Sequence, residues 1–133
     1  MKRQCTILEK SKDYNRAIAV DLSLEEGIMR ELMENTKYRK KLDYIFRKIL
    51  EQPNMYFEDY KKIAFSNNEP ITEMRLFPNG DNCRIYCKET ILEESVYCVI
   101  MAIYLEKKKS QKIDKRIQQI IDKIKTYKYE LHR

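Results

Sequence analysis

Residues 95–104, SVYCVIMAIY, constrain this chain more than any other segment. The run is nearly continuous in Val, Ile, Tyr and Cys and is far too short to cross a bilayer as a helix. Its length and β-branched content predict a central strand covered on both faces. A partner for that strand lies just upstream. Residues 71–77 and 82–88 flank Pro78-Asn79-Gly80-Asp81, and Asn-Gly is the preferred centre of a tight type I′ hairpin. With Asn79 and Gly80 as the two central turn residues, Leu76 pairs with Cys83, Arg75 with Arg84, Met74 with Ile85, and Glu73 with Tyr86. One face then carries Met74, Leu76, Cys83, Ile85 and Cys87 and must be the core face. The other carries Glu73, Arg75, Arg84, Tyr86 and Lys88 and is expected to be the outer one.

The rest of the chain predicts helices around this sheet. Residues 3–8 are strand-like, and the polar residues 10–16 read as turns or bulges. Ser23-Leu-Glu-Glu26 has capping-box spacing, and Ile28, Leu32 and Met33 share a helical face. Gly27 costs such a helix up to about 1 kcal/mol relative to Ala, so it needs tertiary support. From Thr36, residues Tyr38, Leu42, Ile45, Phe46 and Ile49 form an amphipathic stripe that Pro53 ends, which makes a helix hairpin. Residues 56–65 read as a short helix or an irregular segment, and Ser66-Asn-Asn-Glu-Pro70 breaks structure. Ser110 is a candidate cap for a C-terminal helix bearing Ile113, Ile117, Ile120, Ile121 and Ile124 at helical period. The expectation is one α+β domain over residues 1–133: a small antiparallel-rich sheet made of an N-terminal strand, a hairpin and a central strand. An N-terminal helix hairpin and a C-terminal helix pack on it.

Charge is concentrated at one end. From Lys107 to Arg133 ten Lys or Arg face three acidic residues, a net of +7 when the whole chain carries +6. Such a patch suits phosphate, an acidic protein partner, or simple solvation of a helix face. The N-terminal residues lack the apolar core of an export signal, so the expectation is a cytoplasmic protein with no membrane segment and reduced thiols. Cys83 and Cys87 would be about 13 Å apart along a strand, too far for one zinc ion. All four cysteines sit among apolar neighbours and read as core residues, and no metal or cofactor is expected.

Two arginines directly opposite on a hairpin repel unless an anion lies between them. Glu73, diagonal to Arg84, supplies one within the chain, and an external phosphate would supply one from outside. Tyr86 on that face either stacks on a base or covers the sheet.

Several blocks together resemble the RelE/ParE superfamily of bacterial toxins, most closely its HigB branch. Glu73-Met-Arg75 followed by Asn82-Cys-Arg84-Ile-Tyr86 is similar to that family's apolar-Arg strand, short turn and Arg-apolar-Tyr strand. Residues 104–112, Tyr-Leu-Glu-Lys-Lys-Lys-Ser-Gln-Lys, are similar to the segment preceding the family's last helix. The resemblance spans roughly residues 33–127, and the three blocks occur in the family's order. It implies a type II toxin, an endoribonuclease that cleaves mRNA without a metal, usually on the translating ribosome, and is neutralised by a cognate antitoxin. In such enzymes a 2′-hydroxyl attacks the adjacent phosphate, so protons must move and extra phosphorane charge must be stabilised. On the matching positions Arg84 is the first expected phosphate ligand and Arg75 the second. Lys88, Tyr86, Lys107, Lys108, Lys109 and Lys112 are expected to bind RNA, an arginine fork being the better match to phosphate oxygens.

The chain also departs from the family. Where RelE has catalytic lysines before its first arginine, this sequence has Ile71 and Glu73, so a different acid and base are required. Glu73 paired with arginine would be a weak base. Near the C-terminus the candidates are Tyr127, Tyr129 and the single histidine, His132; Tyr127 reads rather as a packing residue, and His132 reads first as a solvated tail residue. Two alternatives stay open: a ParE-like toxin that binds DNA gyrase and cuts no RNA, and a non-catalytic RNA- or partner-binding module. The sequence leaves oligomeric state open.

Overall fold

A computed structural model describes residues 2–12, 15–93, 95–106 and 115–132. Strand β1 (Arg3–Lys10) pairs antiparallel with β2 (Arg16–Asp21). The chain then passes through α1 (Leu22–Leu24), a five-residue π-turn (Glu25–Met29) and α2 (Arg30–Glu34) into α3 (Thr36–Glu51). Strands β3 (Tyr60–Ser66), β4 (Glu69–Leu76), β5 (Cys83–Leu92) and β6 (Val96–Leu105) follow as an antiparallel meander, before α4 (Lys115–Thr126) and β7 (Tyr129–Leu131). Among the described residues seven strands join one sheet in the order β3-β4-β5-β6-β2-β1-β7. Two seams, β6 with β2 and β1 with β7, are parallel.

Strand alternation sorts side chains into two cores. On one face Leu42, Ile45, Phe46 and Ile49 of α3 pack over Ile18, Val20, Met74, Ile85, Val99 and Met101. On the other, Ile117, Ile121 and Ile124 of α4 cover Ala17, Ala19, Tyr86, Cys98 and Ile100. Each fully buried Leu, Ile or Phe contributes about 1.5–3 kcal/mol, so both helices hold to the sheet chiefly through these stripes. Central strand β6 is covered on both sides, as its unbroken apolar run predicts. Arg16 at the start of β2 donates to the carbonyls of Ile49 (2.7 Å) and Pro53 (2.6 Å), satisfying and neutralising the end of α3.

The α+β class, the helix pair, the hairpin, the central strand and the last helix are present as expected, with three further strands. β2 is a strand of small and branched residues, RAIAVD, whose alanines lie under α4. β3 occupies the segment that reads as helical or irregular, because Tyr60 and Ile63 face opposite cores while Lys61 and Lys62 reach solvent at the sheet edge. β7 is three residues long and exists through its pairing with β1. The first helix is capped by Asp21 and not by Ser23: the Asp21 carboxylate accepts from the Ser23 N–H at 2.8 Å. Gly27 lies in the π-turn, where the backbone leaves helical geometry and the helix kinks.

The β4–β5 connection also differs from the two-residue turn. A six-residue loop, 77–82, closes on the Phe77 carbonyl, which accepts from Gly80 N–H (2.9 Å) and Asn82 N–H (2.7 Å). Phe77 and Asn82 adopt the left-handed conformation, both at φ 53°, and Gly80 does not. Leu76 still faces Cys83 and Arg75 still faces Arg84. Alternation fixes the register even though the turn chemistry is different. Among the described residues no helix is long and apolar enough to cross a membrane.

Candidate functional site

Both arms of the β4–β5 hairpin send polar side chains to the face that α4 covers. Glu73 is buried there with its two oxygens divided between two cations. Oε1 lies 3.2 Å from Arg84 Nε and Oε2 3.3 Å from Arg75 Nε. The Arg84 guanidinium also donates to the Cys83 carbonyl at 3.1 Å. One carboxylate thus holds two guanidiniums that strand pairing places face to face, leaving an excess of one positive charge.

Exposure separates the two arginines. The Arg75 side chain keeps 22% of its surface and that of Arg84 keeps none. The expectation that the Arg84 face looks outward is therefore corrected: α4 lies across β3, β4 and β5 on this side. Burial lowers the Arg84 pKa below the ordinary guanidinium range; Glu73 opposes that change and neighbouring Arg75 adds to it. The group remains a cation at any physiological pH.

Farther along β5, Tyr86 is fully buried among Ile71, Ile100 and the α4 isoleucines. Lys88 is also enclosed, its ammonium donating to the Tyr127 carbonyl at 2.5 Å and lying 3.4 Å from Glu69 Oε1. A cleft of about 570 Å³ opens at this end, with Lys88, Glu69, Thr90, Tyr127 and Tyr129 among its walls. Lys107, Lys108, Lys109, Lys112, Ser110 and Ile113 lie outside the described residues. Leu105, at the end of β6, is the partner of Arg84.

The structure does not bring Tyr129 or His132 to the arginines. β7 ends the strand order, beyond β6, β2 and β1 when counted from β5, and its Tyr129 lines the cleft at the Lys88 end of β5. Tyr129 is buried and donates to Asp21 Oδ2 at 2.7 Å, where Arg3 Nε also sits at 2.7 Å. Burial first, and the neighbouring Asp21 second, raise the Tyr129 phenol pKa, so it is a donor here and not a base. His132 is exposed, hydrogen-bonded through Nδ1 to Gln4 Oε1 at 2.9 Å, and its N–H donates to the Cys5 carbonyl.

Sequence reasoning missed a second buried carboxylate. Glu89 of β5, fully enclosed on the α3 side, receives hydroxyls from Tyr56 (2.7 Å), Tyr60 and Tyr97. Thr72 in turn donates to the Tyr60 oxygen at 2.9 Å, and the Tyr56 and Tyr60 rings stack. Burial, reinforced by Glu89, raises all three phenol pKa values. No local motif signals this arrangement because its donors come from three separate elements. Among the described residues no group of three or more His, Cys, Asp or Glu side chains is placed to hold a metal ion.

No protein-family model matches the chain, no curated protein matches it, and no solved structure matches it.

Proposed function

We propose that this chain is the toxin of a type II toxin–antitoxin pair, acting on mRNA through the Arg75–Glu73–Arg84 cluster. The observation that carries the reading is the shared carboxylate: two guanidiniums meet on Glu73, beside Leu105 at the end of β6. A cationic cluster of this kind suits a phosphate whose charge grows as a 2′-hydroxyl attacks it. The division of labour follows exposure. Arg75, at the surface, meets the phosphate, while Arg84 orients Glu73 from below and adds positive potential. Glu73 holds both arginines with its two oxygens and is not the base. The ribosome positions the message, and a cognate antitoxin covers the cationic surface.

A second reading, RNA binding without cleavage, is favoured by one observation: the two C-terminal acid–base candidates are engaged in other contacts, Tyr129 donating to Asp21 and His132 bonded to Gln4. Mapping new 5′ ends on a message in a translating-ribosome reaction separates the readings. Wild-type protein is expected to create cuts, and Arg75→Gln, which keeps the fold, to lose them. An intact message, in a reaction where an unrelated ribonuclease cuts, would refute cleavage. RNA retention by wild-type protein would then support binding alone, and inhibition of DNA supercoiling would support a gyrase-directed toxin.

A further inference from the structure

The opposite face of the molecule carries a surface that the hairpin cluster leaves unused. α3, TKYRKKLDYIFRKILE, holds six Lys or Arg and two acidic residues. Lys37, Lys41, Tyr44 and Lys48 follow one another at intervals of four, three and four, which places them on one stripe, with Lys37 and Tyr44 exposed and Lys41 and Lys48 half-buried. Aromatic rings are interleaved with these cations. The Phe77 ring lies 4.4 Å from Lys37 Nζ, and the Tyr44 ring lies between Lys41 and Lys48, at 5.4 Å and 5.6 Å. Phe57 braces Tyr44 edge-on at 6.1 Å. Around the sheet edge Lys62 stands over Tyr56 and over Phe65 at 5.1 Å and 4.6 Å.

Two of these rings are unusually open: Tyr44 keeps 46% of its surface and Phe65 57%. Aspartates already hold two of the lysines, Asp81 at Lys37 (3.0 Å) and Asp59 at Lys41 (2.7 Å). Among the described residues Lys48 and Lys62 have ring contacts and no ion pair, and Lys40 of α3 is exposed. Cations that can move to a phosphate thus stand next to ring faces that can take a base.

We infer that the α3 stripe and the adjoining β3 edge bind single-stranded nucleic acid, with Tyr44 and Phe65 stacking on unpaired bases and Lys48 and Lys62 contacting the backbone. Unpaired bases are the match, because only they present a π-face to an open ring, whereas a duplex would engage the lysines alone. The site is on the sheet face opposite the arginine cluster and requires no cleavage there.

Fluorescence anisotropy with a labelled uridine-rich 20-mer RNA tests it, using the whole chain carrying Arg75→Gln throughout so that the hairpin cluster contributes equally. Tyr44→Ala and Phe65→Ala are each expected to weaken binding by about tenfold, with unchanged circular dichroism, since both rings are exposed. Lys48→Gln with Lys62→Gln is expected to reduce the steepness of log K against log salt by about 0.7 per lysine. Duplex RNA of equal length is expected to bind more weakly and to ignore Tyr44→Ala. The inference fails if the oligonucleotide does not bind or if the ring variants bind it as the parent does. It also fails if polyglutamate displaces the RNA with equal avidity from parent and Tyr44→Ala protein, which would assign the stripe to an acidic protein.

Discussion

Replacing Arg84 with alanine should cost this domain a large share of its stability. Two losses combine. Truncation deprives Glu73, whose side chain is 3% exposed, of its Arg84 partner and leaves the oxygen that faced Arg84 beside a vacated site. Breaking a buried pair from one side costs about 3–5 kcal/mol. Loss of the buried aliphatic stem adds about 0.8 kcal/mol per methylene, partly overlapping the first term. A total of about 4–6 kcal/mol compares with about 5–15 kcal/mol for a whole domain. Urea unfolding followed by circular dichroism gives the number directly. Arg84→Met separates the terms, because it keeps an apolar stem and removes the charge. Adding Glu73→Gln to Arg84→Met should recover about 2 kcal/mol, since the stranded carboxylate is then neutral. If Arg84→Ala costs under about 1 kcal/mol at an unchanged denaturant slope, Arg84 reaches solvent and the enclosed ion cluster is wrong.

Asp21 sets a pH limit: its burial disfavours ionisation, yet hydrogen bonds from Arg3, Tyr129 and the Ser23 N–H outweigh that and hold its pKa below the usual value. The stability it supplies is therefore present above the unfolded carboxyl pKa of about 4 and is lost as pH falls through the lower folded value; Asp21→Asn should flatten stability against pH in that acid window and leave the slope near neutrality unchanged. Tyr60→Phe should destabilise by about 1–3 kcal/mol and more than Tyr56→Phe, since among the described residues Tyr60 alone serves Glu89 Oε2 whereas Tyr97 remains on Oε1; equal losses in thermal melts would refute this apportionment. All four thiols are buried, and burial pushes Cys98 up to about 11 and Cys5 up to about 12, so a disulfide reagent should react slowly with native protein and quickly in urea.

The parts legible in the sequence are those where period and burial agree. The hairpin register was set by centring the turn on Asn79-Gly80 and agreed with the alternation, and it holds although loop 77–82 is longer than an Asn-Gly turn. The stripes of α3 and α4 were readable for the same reason. Misplaced was the exposure of Arg84: a strand face written as Glu, Arg, Arg, Tyr and Lys reads as solvated. Its neighbours across β6, Ile100 and Ala102, together with the isoleucines of α4, demand a cover on that side. Polar residues satisfied by one another can lie under such a cover, and single-strand patterning does not distinguish them from surface residues. The Glu89 and Asp21 clusters gather donors separated by tens of residues, and no local window contains them. β7 has no independent signal because three residues become a strand only through β1.

The parallel seam between β2 and β6 has a kinetic meaning. It pairs Arg16 with Tyr97 and Val20 with Met101, residues roughly eighty positions apart, while nearly every other strand contact closes a short antiparallel connection. Two locally assembled pieces, the β1–β2 hairpin and the β3–β6 meander, must therefore find each other through a long loop whose closure entropy precedes any reward. Refolding should be slow for a chain of this length. During synthesis the edge of β2, with its row of unpaired amides and carbonyls, stands open until β6 has emerged, the interval in which this protein is most prone to pair with another chain.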